Sequence, residues 1–135
     1  MIIEVFKFCV DFGLLVLILM VQVIVYPSFL HFSKTNLIKW HQSYTPKITT
    51  IVAPLMIAQV ALHAYTLIFS FSYLQVIQTI LIASVWLITF LYFVPLHQKI
   101  ESKQFTTQNL KNLINYNWLR TIIWFLIVLL SLLEL

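Results

Sequence analysis

The chain has 135 residues, is 61% hydrophobic and 9% charged, and carries one glycine and a formal net charge of +4. A soluble domain of this length needs far more polar residues to cover its surface, so the composition excludes one and points to a single-domain integral membrane protein. The positive charge is no nucleic-acid signal, because the basic residues sit between apolar runs, where they orient the chain and meet anionic lipid head groups.

The first residues, Met1-Ile2-Ile3-Glu4-Val5-Phe6-Lys7, lack a basic n-region, and no small-residue cleavage site follows the first apolar run. That run is therefore expected to remain in the mature protein. Four runs, at about 12–32, 48–71, 74–96 and 118–133, each approach the roughly 20 residues that span a bilayer. They are continuously apolar rather than alternating, so the expected fold is all-α, an integral membrane four-helix bundle rather than a barrel.

The connections differ in character. In the first, Leu37, Trp40 or His41, and Tyr44 fall on one face, while Lys34, Asn36, Lys39, Gln42 and Ser43 line the rest. That pattern predicts a short amphipathic helix lying in the interface. The second, near Ser70-Phe71-Ser72-Tyr73, is short and uncharged and joins its flanking helices as an antiparallel hairpin. The third holds Lys99, Lys103 and Lys111, with Arg120 beside it. After Thr106-Thr107, either of which suits a cap, Leu110, Leu113, Ile114 and Asn117 form a second amphipathic stripe. The expected fold thus includes two short interfacial helices. The positive-inside rule places the first and third connections in the cytoplasm and both termini outside, in the inner membrane of a bacterium. Lys7 opposes this orientation, and Glu4 and Asp11 offset it.

Polar residues inside the apolar runs carry the next signals. Pro27, Pro54 and Pro95 free the carbonyls of Val23, Thr50 and Leu91. Kinks that splay the helix ends are expected, or kinks that open a cavity. Gln22 and Gln59 lie at similar depth, counted at about 1.5 Å per residue, and are expected to pair as packing glue. His63, one turn outward from Gln59, is an ionisable group at depth, with a backbone carbonyl or Tyr65 as its structural partner. Cys9 is alone and reads as a small apolar filler. Trp86 reads as core.

Arg120 is the sole arginine. Asn117, Arg120, Thr121 and Trp124 share one helical face. Snorkelling to the head groups is one outcome for Arg120. Yet lipid against that face leaves an amide and a hydroxyl unpaired, so the guanidinium is expected to turn inward, toward His97 and the end of the first helix. His31, His41 and His97 fall at the same depth. His97 and His41 are the candidate catalytic groups, because imidazole moves protons near neutral pH. Asn117, Arg120, Thr121, Tyr44 and His31 are the candidate substrate-binding residues, and Gln22, Gln59 and His63 are structural. No histidine pair has zinc-helix spacing and the acids are scattered, so no metal is expected. Haem is a weakly supported cofactor, with His31 and His97 as its most accessible ligand pair.

Val94-Pro95-Leu96-His97, followed about twenty residues later by Asn117-Trp118-Leu119-Arg120-Thr121, resembles small four-helix bacterial membrane proteins of the anthrone-oxygenase-like family of unknown function. Tyr26-Pro27 and Pro54-Leu55-Met56 fit the same order of elements. The resemblance implies a site at His97, Asn117, Arg120 and His41. Members named as oxygenases act on polycyclic phenols and usually carry an amide where this chain has His97, a departure that bears on substrate chemistry.

Three functions follow from these residues. Small size and the lack of a cofactor motif favour a non-enzymatic subunit, as a homo-oligomer or a piece of a larger membrane complex. The alternative is a membrane-embedded binding or redox site for a lipid-soluble quinone, phenol or isoprenoid-like molecule. A transporter or channel component is the third.

Overall fold

The computed structural model describes residues 1–135, and it is helical almost throughout, with no strand. Four helices follow in order: α1, Ile2–His31; α2, Lys34–Phe69; α3, Tyr73–Glu101; and α4, Thr107–Leu132. Each is long and apolar enough to cross a membrane. Their starts are capped by side chains. Ser33 accepts from the Asn36 amide, while Ser72 with Gln75 and Thr106 with Asn109 form reciprocal capping boxes. Of the two threonines suited to cap α4, Thr106 takes the position.

The helices reach further than the apolar runs, and this corrects the two short interfacial helices. The first amphipathic stretch is the opening third of α2, and the second is the opening third of α4. Once a helix is nucleated, each added residue gains a backbone bond, so a helix-competent flank extends its neighbour unless something stops it. Pro46 and Pro54 do not stop α2. Nearby, the Thr49 and Thr50 hydroxyls bond the carbonyls of Thr45 and Lys47 at 2.7 and 2.6 Å. The break before α4 comes only at 102–106, where Lys103 adopts a left-handed φ of 63°.

The other two prolines act differently. A π-helical turn, Val21–Val25, precedes Pro27, and a second, Thr89–Phe93, precedes Pro95. In each, the next amide reaches back five residues, from Tyr26 to Val21 and from Val94 to Thr89. A π turn inserts about one extra residue per turn, so it rotates everything that follows it about the helix axis. Tyr26 and His97 follow these turns, and they meet.

α1 packs against α2 and α4, and α3 packs against the same two, so the four close into a ring. Leu14, Ile18, Phe29, Val85, Phe93, Leu113 and Ile127 fill its centre. The exterior is apolar: Val23, Ile57, Ile68 and Leu91 are each more than 60% exposed, whereas Lys7, Asp11 and Arg120 are buried. This inverts the distribution of a water-soluble protein.

Buried polar groups gather at two levels. Toward the chain termini, Lys7 bonds Glu134 at 2.6 Å and Gln78 at 3.4 Å. Gln78 donates to Ser131 at 3.0 Å, and Ser131 to the Asp11 carboxylate at 2.5 Å. Gln59 donates to the same carboxylate at 2.7 Å, and His63 Nε2 lies 3.0 Å from it. The expected Gln22–Gln59 contact is absent. Gln22 instead bonds the Ile114 carbonyl, Asn117 and Thr121, while Gln59 bonds Asp11 and accepts from Trp124. Matching depth does not set rotation about the helix axis, and each amide meets a nearer partner. His63 takes Asp11 as its partner rather than Tyr65, whose ring packs tilted against Phe69.

Candidate functional site

At the other level, five side chains from all four helices form one hydrogen-bonded line. Glu101, at the end of α3, has one carboxylate oxygen 2.5 Å from His41 Nδ1. His41 Nε2 lies 2.7 Å from His97 Nδ1, with the two rings stacked at 5.0 Å. His97 Nε2 lies 3.0 Å from the Tyr26 hydroxyl, and Arg120 Nη2 donates to that hydroxyl at 3.2 Å. His41 is fully buried and Tyr26 nearly so, while the Glu101 side chain is 38% exposed at the open end of the line.

Arg120 is buried and turned inward. Nε and Nη2 donate to the Asn117 amide oxygen at 2.9 and 2.7 Å, and Nη1 donates to Thr89 at 3.2 Å. The guanidinium lies 3.6 Å over the centre of the Phe93 ring. Asn117 is anchored in turn, donating to Gln22 at 2.9 Å. The π turn at Thr89–Phe93 carries both Thr89 and Phe93, so the local helix defect supplies two of the groups that hold the cation.

A cavity of about 420 Å³ lies against this line. Its polar end is lined by Tyr26, His41, His97, Glu101 and Arg120, and its other end by apolar groups such as Leu14, Met56 and Trp86. On α1 the lining runs from Leu14 to Tyr26, or about 18 Å at ~1.5 Å per residue, so the cavity is elongated. Thr49 of α2 and Phe90 of α3 line it and are exposed, so it opens sideways between those helices.

The sequence-nominated residues separate accordingly. His97, His41 and Arg120 come together at the cavity. Tyr44 lines it, half-buried, with its ring edge-on to Phe29 and stacked on Trp40. Asn117 and Thr121 are buried behind Arg120 and line no part of the cavity; Asn117 holds the guanidinium, and Thr121 bonds Gln22 and the Asn117 carbonyl. His31 is exposed at the end of α1 and joins neither network, which removes it from the site. His31 also lines no part of the cavity that His97 faces. The two imidazoles that do meet, those of His41 and His97, bond each other directly at 2.7 Å, closer than two nitrogens about 2.0 Å from one shared metal would stand. Tyr26 and Glu101 were missed. Tyr26 precedes a proline, and its ring faces inward only because of the π turn before it. Glu101 stands among the lysines of a basic connection, and nothing in its spacing pairs it with His41.

Compared with known proteins, the chain matches no protein-family model, no curated protein and no solved structure.

Proposed function

We propose that the protein is an integral membrane four-helix bundle that binds a lipid-soluble molecule, with an oxygen-bearing headgroup, in the cavity between α2 and α3. One observation carries this: the elongated cavity is apolar along its length, polar at one end, and open sideways. With lipid around the helices, that opening faces acyl chains, and an amphiphile can enter without crossing water. An apolar body fills the end near Leu14, Met56 and Trp86. The headgroup meets Tyr26 and Arg120, which supply hydrogen-bonding groups of the kind a quinone, phenol or similar oxygen requires. The likeness to the anthrone-oxygenase-like family fits a phenolic headgroup and is carried here as a proposed kinship. The subunit function favoured by small size is the second reading.

The test is saturable binding of a dodecyl-substituted phenol to protein purified in mild detergent. Ala53 lines the cavity on α2, and Ala53→Trp should fill its space. The variant is expected to lose at least tenfold in affinity while unfolding at the parent's temperature. Equal affinity in the two proteins would sink the assignment.

We propose further that both termini face outside and the two basic connections face the cytoplasm of a bacterial inner membrane. After Cys9 is replaced, a cysteine introduced at Ser72 is expected to escape an impermeant thiol reagent only if the orientation is reversed. One at Lys103 should stay unlabelled in intact cells and react after lysis. Labelling of Lys103→Cys but not Ser72→Cys in intact cells would overturn the orientation.

A further inference from the structure

Arg120 carries a charge that nothing in the fold matches. No carboxylate lies within 4.0 Å of it, since the chain's ion pairs join Met1 with Glu4, Lys7 with Glu134, His41 with Glu101 and His63 with Asp11. Its partners are an amide, two hydroxyls and an aromatic face, all neutral. Taking an ion out of water carries a desolvation penalty of several kcal/mol, and neutral partners offset it only in part. Arg120 is 7% exposed, lines the cavity, and has one Nη1 hydrogen left without a partner. A cavity ligand that bears negative charge supplies what is missing.

The hydrogen-bonded line shows where the matching proton goes. A guanidinium can only donate, so the Tyr26 oxygen accepts from Arg120. Were His97 Nε2 also to donate to that oxygen, the tyrosine's own hydrogen would have no partner among the protein groups. The arrangement that satisfies every atom has Tyr26 donating to His97 Nε2, His97 Nδ1–H donating to His41 Nε2, and His41 Nδ1–H donating to Glu101. Every bond then points from Arg120 toward Glu101, and one lone pair on the Tyr26 oxygen stays free.

From these two observations, and resting on the binding site proposed above, we infer that the cavity takes a lipid-soluble weak acid, ionises its O–H beside Arg120, and passes the proton along Tyr26, His97 and His41 to Glu101. The ligand O–H breaks and its hydrogen bonds to the Tyr26 oxygen. The tyrosine's former hydrogen moves to His97 Nε2, that of His97 Nδ1 to His41 Nε2, and that of His41 Nδ1 to the Glu101 carboxylate. The ligand gains one negative charge and Glu101 loses one; no electrons change hands, so no oxidant is required. Tyr26, His97 and His41 each end with the number of hydrogens they began with, and Glu101 holds one more. Glu101, partly exposed, gives the proton to water. The ionisable and charged groups facing this route are Tyr26 on α1, His41 and Tyr44 on α2, His97 and Glu101 on α3, and Arg120 on α4. Arg120 sets how much ligand ionises, and the line sets how fast.

A dodecyl-substituted nitrophenol tests both parts, because its anion absorbs at longer wavelength than the neutral phenol. The experiment uses purified full-length protein at a pH where the probe in detergent alone stays protonated. Binding is expected to shift the bound probe to its anion spectrum. Oleic acid should displace it at least tenfold better than oleyl alcohol, and a dodecyl phenol better than its methyl ether, because in each pair only the first is an acid. In stopped flow, Glu101→Gln should still accept from His41 but cannot take a proton, so ionisation should slow at least tenfold with the same final amplitude. Glu101→Asp, which keeps the acid, should restore most of the rate. A probe that binds and stays neutral would overturn the ionisation, and an unchanged rate in Glu101→Gln would overturn the route. A probe that does not bind at all would instead overturn the binding site on which both rest.

Discussion

Arg120→Lys is expected to lose at least about 3 kcal/mol of stability, nearly as much as Arg120→Ala, because a charge without the planar fork cannot make the contacts that hold this site. The guanidinium serves Asn117, Tyr26 and Thr89 at once and lies flat on Phe93. An ammonium is a compact point at the end of a flexible stem. It can reach one of these partners, and it leaves acceptor atoms of the others unmet, chiefly the buried Asn117 amide oxygen that takes two guanidinium bonds, at about 1–3 kcal/mol for such a group. Alanine removes the desolvated charge, which offsets part of its loss, and this narrows the gap between the two variants further. Reversible unfolding by increasing SDS in mild detergent measures the difference. A lysine variant within about 1 kcal/mol of the parent would mean that the charge alone matters and the fork does not.

Asp11→Asn is expected to have an effect of similar size, about 3 kcal/mol, although the change is nearly isosteric. The carboxylate is fully buried and takes hydrogen bonds from Gln59 on α2 and Ser131 on α4, with His63 Nε2 against both its oxygens. An amide replaces one acceptor oxygen by an NH2, which then faces a donor. Asp11 thereby ties α1 to α2 and α4 at one level, and the loss should appear in global unfolding rather than in local fraying. A double-mutant cycle of Asp11→Leu and His63→Leu, measured in the same way, should show coupling above about 1 kcal/mol. Strict additivity would show that the two residues, though 3.0 Å apart, do not depend on each other.

These two residues also differ in how far the sequence exposed their roles. Arg120 announced itself: it is the sole arginine, and an amide and a hydroxyl share its helical face. Asp11 and Lys7 read only as charges that bear on the orientation of the chain. Their partners Gln78, Ser131 and Glu134 come from residues far along the chain, and no local spacing links them to helix one. The same holds for Glu101, whose partner His41 lies 60 residues earlier.

The sequence by itself determined the helical class, the approximate places of four helices long and apolar enough to cross a membrane, and the inward demand of the Arg120 face, because these follow from hydrophobic run length and from the cost of unpaired polar groups. Helix length was underestimated, since hydropathy marks where a helix meets apolar surroundings and not where its backbone bonding stops. Which polar side chains meet was decided only by the tertiary structure. Depth along a helix can be counted from residue number, but rotation about its axis cannot once a π turn intervenes, and two such turns precede Tyr26 and His97. They bring Tyr26 between His97 and Arg120 and leave His31 outside.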